Sequence, residues 1–176
     1  MNVTVYCGST FGINPCYNDA AIDLGKFISS KGYTLVYGGG RTGLMGTISS
    51  FVLENEGEVI GVIPEFLKIQ EGCQDDLTSL ETVETMSERK DRMIELGDAF
   101  IALPGGPGTL EEISEIISLK RLNRIEGPCI LFNNNDFYTS FETFLDKMVE
   151  EGFYPSDARK SIYFPKTISE IERIFS

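Results

Sequence analysis

At 176 residues the chain has the length of one domain, enough to bury about 70% of its unfolded surface, and its 41% hydrophobic and 24% charged residues exclude a disordered or fibrous protein. Twenty-seven acidic against 15 basic side chains leave a net charge of −12, which repels phosphate backbones and anionic lipid and argues against nucleic-acid or membrane-surface partners. Histidine is absent, so Ser-His-Asp triads, histidine metal sites and imidazole acid–base catalysis are excluded, and no metal is expected.

The chain opens on a strand pattern, Val3–Tyr6, without a basic leader, so no signal peptide is expected. Cys7, Cys16, Cys73 and Cys129 form no C-x-x-C pair and suit a reducing cytosol better than a disulfide framework. No apolar run approaches the ~18 residues of a membrane span, and a cytoplasmic protein is expected. Tyr17, Ala20, Ala21, Leu24, Phe27 and Ile28 recur at helical spacing. Strands are predicted at Thr34–Tyr37, Val59–Ile63, Leu80–Val83, Ala99–Leu103, Cys129–Phe132 and Ser161–Phe164, mostly as continuous apolar runs. A helix through Phe141, Phe144, Leu145, Met148 and Val149 is closed by Glu151-Gly152, and a last one begins at Thr167 with Glu170 completing a capping box. This alternation predicts a single-domain α/β fold, a Rossmann-like open parallel sheet with helices on both faces, over residues 1–176.

Ligands of such sheets sit beyond the carboxyl ends of the strands, and eight of the 18 glycines fall there. Gly38, Gly40 and Gly43 match G-x-G-x-x-G, but on the second strand–helix turn rather than the first, and without a well-placed acid some 20 residues on. That loop is either a close-packing turn or a place where the amides around Gly39 and Gly40 approach a small ligand. After the fifth strand, Pro104-Gly105-Gly106-Pro107-Gly108-Thr109 runs into a helix expected near Leu110, an arrangement suited to a phosphate monoester. Thr109-x-x-Glu112 reads equally as a capping box and as a catalytic carboxylate. The run Thr85-Met86-Ser87-Glu88-Arg89-Lys90-Asp91-Arg92-Met93 reads as a solvated helix face or, following the fourth strand, as a source of a fixed cation, Arg89, for that phosphate.

Together, Cys7-Gly8-Ser9, Tyr37-Gly38-Gly39-Gly40 with Gly43-Leu44-Met45-Gly46, Gly61-Val62-Ile63-Pro64, Arg89-Lys90 with Met93, and Pro104–Thr109 with Glu112 resemble the LONELY GUY (LOG) family of cytokinin riboside 5′-monophosphate phosphoribohydrolases, often labelled lysine decarboxylases. The resemblance covers essentially the whole chain. It implies a homodimer that needs no cofactor and hydrolyses the N-glycosidic bond of AMP-like nucleotides to free base and ribose 5-phosphate. It places the catalytic pair on Arg89 and Glu112. Substrate contacts fall on Gly105, Gly106, Pro107, Gly108, Thr109, Leu110 and Glu111 with Lys90, and by local alignment on Glu71 and Ser118. Ser87 stands where the family commonly has histidine. No lysine sits in a pyridoxal-phosphate context, so the decarboxylase label gains no support. The broad apolar arc of Leu110, Ile113, Ile116, Ile117, Leu119 and Leu122 agrees with a second subunit covering part of that helix. The other function that this fold suits is a non-catalytic nucleotide or cofactor carrier.

Overall fold

The computed structural model describes residues 1–176 apart from the side chain of Glu71, so the expectation for that residue lies outside the described residues. The described residues form a seven-stranded sheet: β1 (Asn2–Tyr6), β2 (Thr34–Tyr37), β3 (Val59–Pro64), β4 (Ser79–Val83), β5 (Ala99–Ala102), β6 (Cys129–Leu131) and β7 (Ile162–Tyr163). All pairings are parallel, in the order β4-β3-β2-β1-β5-β6-β7. The inner strands are buried along nearly their whole length, which is why they read as unbroken apolar runs. Edge strand β4 is exposed at Ser79 and Thr82, half-buried elsewhere, and carries the charged Glu81.

Two helical layers cover the sheet. Val3, Val5 and Leu35 pack against α1 (Cys16–Ser30), α2 (Gly43–Glu54) and α8 (Ile168–Ile174). Tyr6, Val36 and Val62 face α4 (Met86–Leu96), α5 (Pro107–Arg121) and α6 (Thr139–Glu150) on the other side. Two short helices, α3 (Glu65–Glu71) and α7 (Ser156–Lys160), were not anticipated from periodicity, each being at most two turns long. The expected caps are present in part. Thr167 accepts from the Glu170 amide at the start of α8, but the Glu170 carboxylate accepts from the Lys166 amide at 2.6 Å and not from that of Thr167, so the capping box is left half formed. Gly152 takes φ +80 after α6, where its amide and that of Phe153 reach the carbonyls of Val149 (3.0 Å) and Met148 (2.8 Å). No helix among the described residues is long and apolar enough to cross a membrane.

The topology determines where a ligand belongs. From β1 the chain builds outward to β4, then crosses back to place β5 on the other flank of β1. The crevice beyond β1 and β5 is therefore the switch point of the sheet. Its two loops are tied together, with the Gly8 amide donating to the Pro104 carbonyl at 3.1 Å. The start of α2 docks beside them, Leu44 N donating to Gly8 O at 3.1 Å. That docking demands glycine at position 43, where φ is +61 and a Cβ would stand 2.3 Å from the Ser9 carbonyl carbon and the Thr10 nitrogen. Left-handed strain and a backbone collision add here. Gly43→Ala is expected to lower stability by about 3 kcal/mol, roughly 10 °C in a thermal melt.

Candidate active site

A cleft of about 290 Å³ opens over the carboxyl ends of β1, β2 and β5. Arg89 reaches it from the first turns of α4. That helix starts at Thr85 with a full capping box: Thr85 Oγ1 accepts from Glu88 N at 3.1 Å, and Glu88 Oε2 accepts from Thr85 N at 3.4 Å. The Arg89 guanidinium is buried, and two main-chain acceptors hold it. Nε donates to Val62 O and Nη2 to Gly38 O, both at 3.1 Å. A Cβ on residue 38 would lie 1.8 Å from Nη2, so this glycine exists to admit the arginine. The solvated-face reading of the Arg89 run therefore fails for Arg89 itself.

Glu112 faces that guanidinium, with Oε1 4.0 Å from Nη1, and its side chain is 11% exposed. It is not a capping residue. Helix α5 begins at Pro107, with Gly106 as N-cap, so Thr109 is the third helical residue, Glu112 the sixth, and no side chain caps the helix. Proline's fixed φ favours the first helical position and moves the start ahead of the expected Leu110. Burial pushes the Glu112 carboxyl up to about 7; Arg89 and Lys90 pull it down and Glu111 adds to the rise. A buried carboxyl poised near neutrality beside a fixed cation is a pattern of acid–base sites.

The glycines of the α5 loop divide into two kinds. At Gly105 a Cβ would meet Thr109 Oγ1 at 2.1 Å and Gly8 N at 2.9 Å, so packing alone requires glycine. At Gly106 and Gly108 a Cβ would meet nothing within 4 Å. Both line the cleft, and among the described residues the Gly108 and Thr109 amides have no backbone acceptor. Bare amides at the positive end of a 15-residue helix are suited to an anion.

The other expected site residues fall unevenly. Gly40, Lys90, Pro107 and Glu111 line the cleft. Lys90 is already engaged, its Nζ lying 2.8 Å from Glu111 and 3.1 Å from Glu115, and those carboxylates raise the ammonium to about 12. Gly39 is outside it: with φ +77 its carbonyl accepts from the Gln74 amide, away from the cavity. Leu110 points to solvent at 43% exposure. Ser118 lies three turns along α5, its hydroxyl on the Ser114 carbonyl, in a separate groove with Phe144. Sequence reasoning missed the apolar wall of Met45, Ile63, Leu67, Met86 and Met93, and it missed Tyr6, which lines the cleft with the two charged groups. The position of Tyr6, last on a strand that enters a Cys-Gly-Ser turn, was the available signal.

A family model described as "Possible lysine decarboxylase" matches residues 45–174. The cytokinin riboside 5′-monophosphate phosphoribohydrolase LOG of Oryza sativa subsp. japonica is 44% identical over 169 residues, spanning 96% of this chain and 70% of that protein. The cytokinin riboside 5′-monophosphate phosphoribohydrolase of Rhodococcoides fascians is 42% identical over 168 residues, 95% of this chain and 85% of its own. Among solved structures, the molybdenum cofactor binding protein of Rippkaea orientalis superposes with a TM-score of 0.74 at 23% identity, covering 99% of this chain and 97% of that one, a likeness of fold. The match across three quarters of the chain, and identities above 40% along nearly all of it, show that the protein belongs to the LOG family.

Proposed function

We propose that this cleft hydrolyses the N-glycosidic bond of AMP-like and cytokinin riboside 5′-monophosphates, releasing free base and ribose 5-phosphate. The observation that carries the reading is Glu112: a buried carboxyl beside Arg89, one turn along α5 from unpaired amides. Four residues of helix separate Gly108 from Glu112, about 6 Å of rise, the order of length of a ribose 5-phosphate. A phosphate on the Gly108 and Thr109 amides anchors the sugar with its anomeric carbon near Glu112 and turns binding energy into orientation. Bond cleavage develops oxocarbenium character at that carbon, and the ionised Glu112 both stabilises the charge and takes a proton from the attacking water. Arg89, seated on two carbonyls, keeps Glu112 ionisable, its Nη1 lying 4.0 Å from that carboxylate and 3.9 Å from the Met86 sulfur. Decarboxylase chemistry through a lysine Schiff base does not fit. The cleft's Lys90 is bound by two carboxylates that hold it protonated, the opposite of what an amine nucleophile needs.

The test is incubation with AMP and N6-isopentenyladenosine 5′-monophosphate, with chromatography for free base. Wild type is expected to release adenine or its N6-substituted form, and Arg89→Ala to release almost none. Nucleotide bound but never consumed would favour the carrier reading.

The same reading includes a homodimer in the cytoplasm without nucleic-acid or membrane partners, the 176 residues acting as one domain. Phe144 (56% exposed) and Phe153 (81%) flank a groove of about 330 Å³ between α5 and α6, with Leu122 exposed at the end of α5. An apolar strip of this kind is what a second copy covers. All four cysteines are free, in keeping with a reducing compartment. Light scattering at micromolar concentration is expected to give twice the chain mass; Phe144→Asp is expected to halve it.

A further inference from the structure

Tyr6 ends β1, paired with Ala102 of β5 at the switch point of the sheet. It belongs to the buried cluster that includes Met93 of α4 and Ile113 and Ile116 of α5. Arg89 lies one turn before Met93, and Glu112 one turn before Ile116. Tyr6, Arg89 and Glu112 line one cleft, and both charged groups are close enough to act on the phenol. Tyr6 lines that cleft while only 2% exposed.

Buried tyrosine hydroxyls find a partner, as that of Tyr138 does on the Leu103 carbonyl at 2.7 Å. The Tyr6 hydroxyl makes no hydrogen bond to any described residue, yet it is not sealed from solvent as the unpartnered hydroxyls of Tyr37 and Tyr154 are. It opens on the cleft without a mate. Burial, the Glu112 carboxylate, Cys129 of β6 and Glu115 of α5 hold the phenol above its usual range against the pull of Arg89, so it stays protonated near neutrality and has a hydrogen to donate. The charged and titratable groups around Glu112 are thus Arg89 and Lys90 from α4, Glu111 on its own helix, and Tyr6 and Cys7 from β1.

We infer that Tyr6 is a positioning residue for the reacting water: its hydroxyl and the Glu112 carboxylate together hold one water molecule on the floor of the cleft. An ordered water needs two to four polar partners, and Tyr6, Glu112 and the Arg89 Nη1 group supply three. The inference rests on the hydrolase reading and names where its nucleophile waits. In the step, the water oxygen bonds to the anomeric carbon and the carbon–nitrogen bond breaks, its electron pair passing to the base nitrogen. The water's proton goes to Glu112, which later releases it to solvent, and the departing base takes up a proton from solvent.

A crystal structure of the ligand-free protein at a resolution that shows waters is expected to place one within hydrogen-bond reach of both Tyr6 Oη and a Glu112 oxygen. Tyr6→Phe, which keeps the ring packing, is expected to lose that water. It should lower kcat about tenfold while KM for AMP stays within about twofold. In methanol–water mixtures it should also divert a larger share of product to methyl ribose 5-phosphate, a partition that a purely structural role would not move. A wild-type crystal without the bridging water, or a Tyr6→Phe enzyme with unchanged kcat and partition, overturns the inference. If wild type releases no base, the hydrolase reading fails, while the water site is decided by diffraction alone.

Discussion

Glu112→Gln is expected to lose about 100- to 1,000-fold in kcat for base release, the scale on which one oriented polar group contributes at a catalytic centre, while gaining stability at alkaline pH. The two effects have one origin. Burial holds the folded-state carboxyl at about 7, above its ordinary 4.5, so folding opposes its ionisation. The resulting penalty is absent below about pH 4.5, grows as pH rises, and is complete above about pH 7, where it reaches about 3 kcal/mol. Glutamine carries no such penalty. Denaturant melts at pH 8 should find the variant more stable by up to that amount, with the gain gone by pH 4.5. Wild-type activity should rise with pH through about 7 to a plateau, since the proposed reaction uses the ionised carboxylate. A profile that falls across that range would make Glu112 an acid and not a base.

Gly38→Ala is expected to abolish most activity without unfolding the protein. The added methyl meets the end of a flexible side chain, Arg89 Nη2, and not main chain. The arginine moves, leaving the carbonyls of Gly38 and Val62 without their donor and Glu112 without its cation. Rates should approach those of Arg89→Ala, with far-ultraviolet circular dichroism unchanged and the melting point lowered by a few degrees. Full activity in Gly38→Ala would show that the seat of Arg89 is irrelevant to the chemistry.

The strands were legible because both faces of the sheet are covered, which prints each inner strand as an apolar run that the flanking loops bound. The cleft was legible because its loops concentrate glycine at strand ends. What each glycine does was not. Gly38 answers to an arginine 51 positions away, Gly43 to the loop after β1, and Gly39 to Gln74, contacts that no local pattern encodes. Thr109 and Glu112 have the spacing of a capping box, and the competing signal, a Gly-Pro pair that starts the helix one turn earlier, settles the matter only once Gly106 is seen at the N-cap. Tyr6 looks like one more core aromatic until β1 is placed at the centre of the sheet. The ring of carboxylates around Lys90 depends on the angle between α4 and α5, which spacing does not report.

Because main-chain oxygens from two neighbouring segments, β3 and the end of β2, grip Arg89, no side-chain exchange at Val62 can remove either ligand. Of the side chains that wall the cleft, Met86 joins that grip, its sulfur accepting from Arg89 Nη1 at 3.9 Å, while Met45, Ile63 and Leu67 make no hydrogen bond to the guanidinium. The reacting centre and the wall opposite it can consequently drift apart in evolution: one half is written into the path of the backbone, and the other is free to be recut for a different base.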